Sequence, residues 1–232
     1  MKKLSDYLFY QDSWATIYCG DCRDILPMLE PVDLVLTDPP YGIGLMHKDG
    51  TMGGTSRNIK RWAGQINPIY HPFNDNSPID PSPLLPMSKN QIIWGGNYIA
   101  DKLPPQRCWL VWYKRVNGQQ NCYGDCELAW SSLDQPIRLF SYLWMGMLRD
   151  GEQEEHYHPT QKPVSLMKWC ISLVETSQTI LDPFMGSGTT LVAAKNLNRK
   201  SIGIEIEPKY CEIAVKRLRQ EVFDFRWKEN IT

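Results

Sequence analysis

Two short apolar runs in this 232-residue chain each stop at an Asp-Pro pair, and that pairing constrains the fold more than any other feature. Residues 32–36 lead into Thr37, Asp38, Pro39, Pro40, Tyr41 and Gly42, and residues 179–181 lead into Asp182 and Pro183. A short run with no polar alternation reads as a strand buried on both faces of a parallel sheet. Proline has no N–H to give a ladder and fixes its own φ, so each strand must end there.

The segments around these runs alternate in type. Residues 15–19 read as a strand, 22–29 as a short amphipathic helix, and 91–94, 108–112, 128–130 and 137–142 as further strands. Residues 164–174 form a helical pattern with Pro163 at its first turn. A strand at 179–181, a helix at 189–197, a strand at 201–205 and a helix at 209–222 opened by Pro208 complete the pattern. Strands alternating with helices predict an α/β fold, doubly wound around a mostly parallel sheet. The chain reads as a single domain over 1–232. An internal insert at about 42–86, rich in Gly, Pro, Asn and Ser, is an irregular excursion rather than a linker.

A composition of 42% hydrophobic and 22% charged residues fits a globular chain and argues against disorder. The apolar runs are too short to cross a bilayer, and Ser5 and Asp6 interrupt any secretory signal, so the expected location is cytoplasmic. Seven cysteines, an odd number, do not suggest a disulfide framework. A net charge of −1 exerts no overall pull on polyanions, so any such partner must meet a local patch.

The segment Asp182, Pro183, Phe184, Met185, Gly186, Ser187, Gly188, Thr189, Thr190 joins a buried strand to a helix. Two glycines let the backbone turn sharply and approach a ligand. Glu205 ends the next strand, where a carboxylate can accept from ribose hydroxyls, with Ile206 beside it. Thr189 follows Gly188 without the lysine of a phosphate-binding loop, so the segment suits a nucleoside without a triphosphate. The other segment, Asp38-Pro39-Pro40-Tyr41, offers a rigid edge with a carboxylate, outward carbonyls and an aromatic ring. Those groups can hold a planar, amino-substituted base. Taken alone, either segment also reads as a tight turn at a strand end.

Together the two segments resemble the amino-group DNA methyltransferases, which methylate adenine N6 or cytosine N4. The resemblance extends through His158, Pro159, Thr160, Gln161, Lys162 and Pro163, through Ile202 to Glu205, and to the Gly20-Asp21-Cys22 element. It covers roughly residues 14–220, and the tetrapeptide preceding the glycine loop is the permuted order of the β group. It implies a seven-stranded methyltransferase sheet and S-adenosylmethionine as cofactor. The implied cofactor contacts are Asp21, Cys22, Asp38, His158, Thr160, Lys162, Pro163, Asp182, Phe184, Met185, Gly186, Ser187, Gly188, Thr189, Thr190, Glu205 and Ile206. The implied catalytic residues are Asp38, Pro39, Pro40 and Tyr41, acting on a base flipped out of duplex DNA. Aspartate at the first position of the tetrapeptide favours adenine N6, with cytosine N4 as the alternative. An RNA or protein-glutamine methyltransferase, or a non-catalytic DNA- or partner-binding protein on the same fold, are more distant readings.

The chain ends soon after its last helix, so target reading is expected inside the catalytic domain. Within 42–68, Lys48, Arg57, Lys60 and Arg61 stand against the single carboxylate of Asp49, and Trp62 can stack or wedge. That segment is the candidate DNA contact, with residues 114–120 next in line. DNA, a second copy of the chain and a cognate restriction endonuclease are the expected partners. Cys19-x-x-Cys22 and Cys122-x-x-x-Cys126 have zinc-like spacings but read as ordinary thiols, and the acidic stretch at 150–155 reads as a solvated loop, so no metal site is expected. Residues 209–219 read as an amphipathic surface helix.

Overall fold

The computed structural model describes residues 2–43, 78–115, 124–145, 148–149 and 161–220. The N-terminal hairpin comprises β1 (Leu8–Gln11) and β2 (Ala15–Cys19). Its turn is fixed by Asp12, whose Oδ1 accepts the N–H groups of Trp14 and Ala15, each at 2.7 Å. A four-residue helix, α1 (Cys22–Ile25), follows, with Asp21 at its N-cap accepting from the Arg23 N–H. Next come β3 (Leu34–Thr37), β4 (Asn90–Trp94), β5 (Trp109–Tyr113), β6 (Cys126–Ser131) and β7 (Arg138–Ser141). A two-stranded ribbon pairs β8 (Trp144–Met145) with β9 (Leu148–Arg149). The last third alternates α2 (Val164–Ser172), β10 (Thr179–Asp182), α3 (Thr189–Asn196), β11 (Lys200–Glu205) and α4 (Pro208–Arg219).

The main sheet runs β1-β2-β11-β10-β3-β4-β6-β5-β7. Strands β2, β11, β10, β3 and β4 are mutually parallel, and β6 runs antiparallel between β4 and β5. The seven-strand expectation is therefore corrected to nine among the described residues. The core from β2 to β5 has seven strands, and β1 and β7 extend its two edges. Strand β1 is short and largely exposed, without the apolar run that reveals a strand in sequence.

All four residues of β3 are buried, and so are the last three of β10 and the last four of β4. Core residues lie on both faces of the sheet. Helices α2, α3 and α4 supply Leu166, Met167, Cys170, Leu191, Ala194, Ala214 and Leu218 to one of the two clusters. Of the expected insert, residues 78–86 are described, and Leu84 is buried in the other cluster. Strand order reverses between β10 and β3, whose carboxyl ends lie side by side. Ligands of open α/β sheets sit at such a point. No helix among the described residues is long and apolar enough to cross a membrane.

Candidate active site

Both Asp-Pro segments leave the sheet at this reversal. They are joined directly: Thr37 Oγ1, fully buried at the end of β3, donates to Asp182 Oδ1 at 2.7 Å. Asp182 also accepts from the Phe184 N–H at 3.1 Å, which turns the chain out of β10. Burial pushes the Asp182 carboxyl up to about 6, against the hydrogen bonds from Thr190, Thr37 and Phe184.

The glycine loop is built on contacts from three elements. Gly186 and Gly188 both have positive φ, +50° and +81°, a region that costs other residues about 1–2 kcal/mol. The Met185 N–H donates to the Ile204 carbonyl at 3.0 Å. Gly203 in β11 makes room for this, since a Cβ there would meet Met185 Sδ at 2.4 Å. Gly188 is needed for a reason absent from the sequence reading: its missing Cβ faces Ala214 of α4, 2.7 Å from that residue's own Cβ. Arg217, buried in α4, donates through Nη1 to the Ser187 carbonyl (2.9 Å), Ser187 Oγ (3.1 Å) and Thr189 Oγ1 (3.0 Å). Ser187 Oγ in turn donates to Gln161 Oε1 at 3.2 Å, linking the loop to the segment that holds Lys162 and Pro163.

Glu205 accepts from the Gly186 N–H at 3.0 Å and the Glu207 N–H at 2.9 Å, so it clamps the loop to the end of β11. Burial pushes its carboxyl up to about 7, against these backbone donors. Ile206 beside it is 60% exposed. The Gly20 N–H donates to the Glu205 carbonyl at 2.9 Å, which brings Asp21 and Cys22 to the same edge. Arg23 holds the Asp21 carboxyl below its ordinary value, and burial pushes the Cys22 thiol up to about 11. A carboxylate fixed by backbone donors, an exposed aliphatic side chain and a tightly turned backbone form a set that fits the sugar and base of a nucleoside.

The tetrapeptide lies across the reversal from this loop. Asp38 is only 18% exposed at its side chain; its Oδ1 accepts from the Tyr41 hydroxyl at 2.5 Å and its Oδ2 from Lys162 Nζ at 2.6 Å. Lys162 also donates to the Tyr41 oxygen at 3.2 Å, and its ammonium lies 3.0 Å from Glu127 Oε2. Lys114 Nζ donates to Glu127 Oε1 at 2.6 Å. Burial raises the Asp38 carboxyl above its ordinary value, with Lys162 opposing and Glu127 reinforcing the shift. Burial would raise Glu127 too, but Lys162 and Lys114 outweigh it and hold that carboxyl at about 2.

The Tyr41 ring stacks on Tyr98, centroids 4.9 Å apart and planes 21° from parallel. It rests against Gly95, whose φ is +68° and where a Cβ would fall 2.0 Å from the ring.

The structure thus brings Asp38, Tyr41, Lys162, Asp182, the glycine loop, Glu205 and Asp21 to one edge of the sheet. Lys162, expected as a cofactor contact, touches Asp38 and Tyr41 of the tetrapeptide. His158, Thr160, Lys48, Arg57, Lys60, Arg61 and Trp62 lie outside the described residues. Sequence reasoning missed Glu127, Tyr98, Gly95 and Arg217, and placed Lys114 in the second-choice DNA contact rather than beside Glu127. Two carried a signal: Glu127 is a carboxylate in an otherwise weakly polar strand, and Arg217 stands three residues after Ala214 on the buried stripe of α4.

Residues 104–216 match the family model described as DNA methylase. The chain is 43% identical over 254 residues to the type II methyltransferase M.BglII of Bacillus subtilis, covering 88% of this chain and 69% of that protein. It is 29% identical to the type II methyltransferase M.HinfI of Haemophilus influenzae, covering 90% and 69%. Among solved structures, the M1.HpyAVI–SAM complex superposes with a TM-score of 0.54 at 25% identity, covering 89% of this chain and all of that one.

Proposed function

Since this chain belongs to the β-group amino DNA methyltransferases, site-specific type II enzymes that use S-adenosylmethionine on adenine N6 or cytosine N4, we propose that its target is the N6 amine of adenine in a specific duplex sequence. The observation that carries this reading is the half-buried Asp38 carboxylate, held beside Tyr41 at the strand reversal.

Bound S-adenosylmethionine supplies a methyl carbon on a sulfonium. The chain's own residues act on the other reactant. An exocyclic amine is a poor nucleophile because its lone pair is delocalised into the ring. It also cannot reach the site from inside a duplex, so the base must be extruded. Asp38 accepts one N–H of the amine and the Pro39 carbonyl the other, drawing the nitrogen toward tetrahedral geometry, while Pro40 stiffens the edge and Tyr41 stacks on the base. Positioning of this kind is the main source of rate for such a transfer. Glu205 and Ile206 receive the cofactor's ribose and adenine, and Asp21 and Cys22 flank them. Phe184, Ser187, Thr189, Thr190 and Pro163 form the cradle around Gly186 and Gly188.

The 1–232 chain is read as one catalytic domain that reads DNA through the insert at about 42–86 and pairs with a second copy. A cognate restriction endonuclease would complete the system. Replacing Arg57, Lys60 and Arg61 together should weaken DNA binding and reduce its log–log salt slope by about one unit per lost phosphate contact. An unchanged slope would move recognition elsewhere.

The deciding experiment is expression in a host free of DNA methylation, followed by sequencing of the genomic DNA for modified bases. N6-methyladenine in one motif is the expected result, absent with Asp38→Ala. N4-methylcytosine in its place would overturn the choice of base.

A further inference from the structure

We propose that Glu127 is a positioning residue of the methyl-transfer site: paired with Lys114 on one side, it holds Lys162 between itself and Asp38, so that the ammonium does not fall wholly on the Asp38 carboxylate. The inference rests on the proposed role of Asp38 and concerns residues that sequence reasoning did not assign to catalysis.

Four charges alternate in a row. Lys114 Nζ lies 2.6 Å from Glu127 Oε1, Glu127 Oε2 lies 3.0 Å from Lys162 Nζ, and Lys162 Nζ lies 2.6 Å from Asp38 Oδ2. They come from the end of β5, from β6, from the segment before α2 and from the end of β3. Lysine is a point charge on a flexible four-carbon stem and does not orient itself. Lys162 is only 5% exposed, so its direction is set by the acceptors around it. With Glu127 on its far side, the ammonium is shared between two carboxylates. Without Glu127, its whole charge falls on Asp38, tying up the oxygen that a target amine must reach. Lys114 then has its own function, since it neutralises Glu127 and makes a second half-buried carboxylate beside Asp38 tolerable.

The groups that face Asp38 are Lys162, Glu127, the Tyr41 hydroxyl and Asp182 on the adjacent strand. Removing a like charge and removing an opposite charge must move its titration in opposite directions. Glu127→Gln should shift the Asp38 midpoint down, and Lys162→Met should shift it up. The shifts report the charges around Asp38; the plateau kcat, read where Asp38 is ionised, reports whether Glu127 also positions Lys162.

The test uses the full chain labelled with carboxyl-13C aspartate, with the Asp38 signal assigned by its loss in Asp38→Asn. The Asp38 midpoint is followed by NMR in wild type, Glu127→Gln and Lys162→Met. In parallel, kcat on duplex DNA is measured against pH. Opposite shifts are expected, with plateau kcat lowered at least about tenfold in Glu127→Gln and the KM for S-adenosylmethionine within about twofold of wild type. Midpoints that move in the same direction or not at all, or an unchanged plateau, would overturn the clamp. If Glu127→Gln fails to fold, Glu127→Asp decides: it keeps the charge but withdraws it by one methylene from Lys162, and an unchanged plateau kcat overturns the clamp. A wild-type chain that methylates no DNA would refute the proposed function, while the NMR midpoints would still decide the clamp.

Discussion

Under the proposed assignment of Glu205 to the cofactor's ribose, binding should carry a pH dependence that follows from the surroundings of this carboxylate. Burial pushes its carboxyl up to about 7, and the Gly186 and Glu207 N–H groups keep it from rising further. If the ionised form is the one that accepts from ribose hydroxyls, the apparent Kd carries the factor 1 + 10^(pKa − pH). That factor is about 11 at pH 6 and about 1.1 at pH 8, a roughly tenfold loss of affinity on acidification, or about 1.4 kcal/mol. Glu205→Gln preserves shape but cannot ionise, so its affinity should be lower at pH 8, by about 1–3 kcal/mol, and insensitive to Glu205 titration. Isothermal titration of S-adenosylmethionine from pH 6 to 8.5 into both proteins is the assay. The ligand's own titration is common to both and drops out of the ratio. A ratio of the two Kd values that stays constant across the range would refute the assignment of Glu205 to the ribose.

Gly95→Ala should cost about 1–2 kcal/mol for its positive φ and displace the Tyr41 ring, so methylation should fall sharply in a protein that still binds S-adenosylmethionine; paired denaturation and activity assays would show it. Arg217→Met removes a buried donor from Ser187 and Thr189 and should destabilise the chain by about 2–5 kcal/mol, with weaker cofactor binding, measured by urea denaturation and titration. Stability should peak at about pH 4 to 4.5 rather than at neutrality. Asp182 and Glu205 have folded values of about 6 and 7, above their ordinary ones, so the folded state keeps protons that the unfolded chain has lost. Each therefore lowers stability as pH rises toward its folded value, by roughly 3 kcal/mol. Glu127, held at about 2, works the other way: its contribution is present above its ordinary value of 4.5 and is lost as pH falls toward 2. A melting temperature higher at pH 8 than at pH 5 would contradict this balance.

Much of the framework was legible in the sequence because the central strands are buried on both faces and end abruptly. Ala15–Cys19 and the strand before Asp38 were found in that way, and Thr189–Asn196 was found from the glycines before it. The glycine loop and the tetrapeptide were legible as chemistry because their residue types are costly without a ligand. Glu127, Lys114 and Tyr98 were not, because local pattern does not say that β6 inserts between β4 and β5. Only that order carries their side chains to Asp38 and Tyr41. Arg217 was not legible either, because a cation in an amphipathic surface helix ordinarily faces solvent, and its acceptors lie 28 and 30 residues away.

The interleaving of the sheet also dictates when the molecule can fold. Strand β3 pairs with β10 and β2 with β11, and the bond from Thr37 to Asp182 spans 145 residues. On the ribosome, the first two central strands emerge long before either partner exists, and both faces of Leu34–Thr37 stay uncovered in the meantime. Loop closure on this scale precedes any gain from the contacts it makes, which favours slow folding and exposes the nascent N-terminal half to aggregation and chaperone capture. Fragments ending before β11 lack the pairing surface for β2, so protease resistance during synthesis should arise late and in one step, once about 205 residues are free.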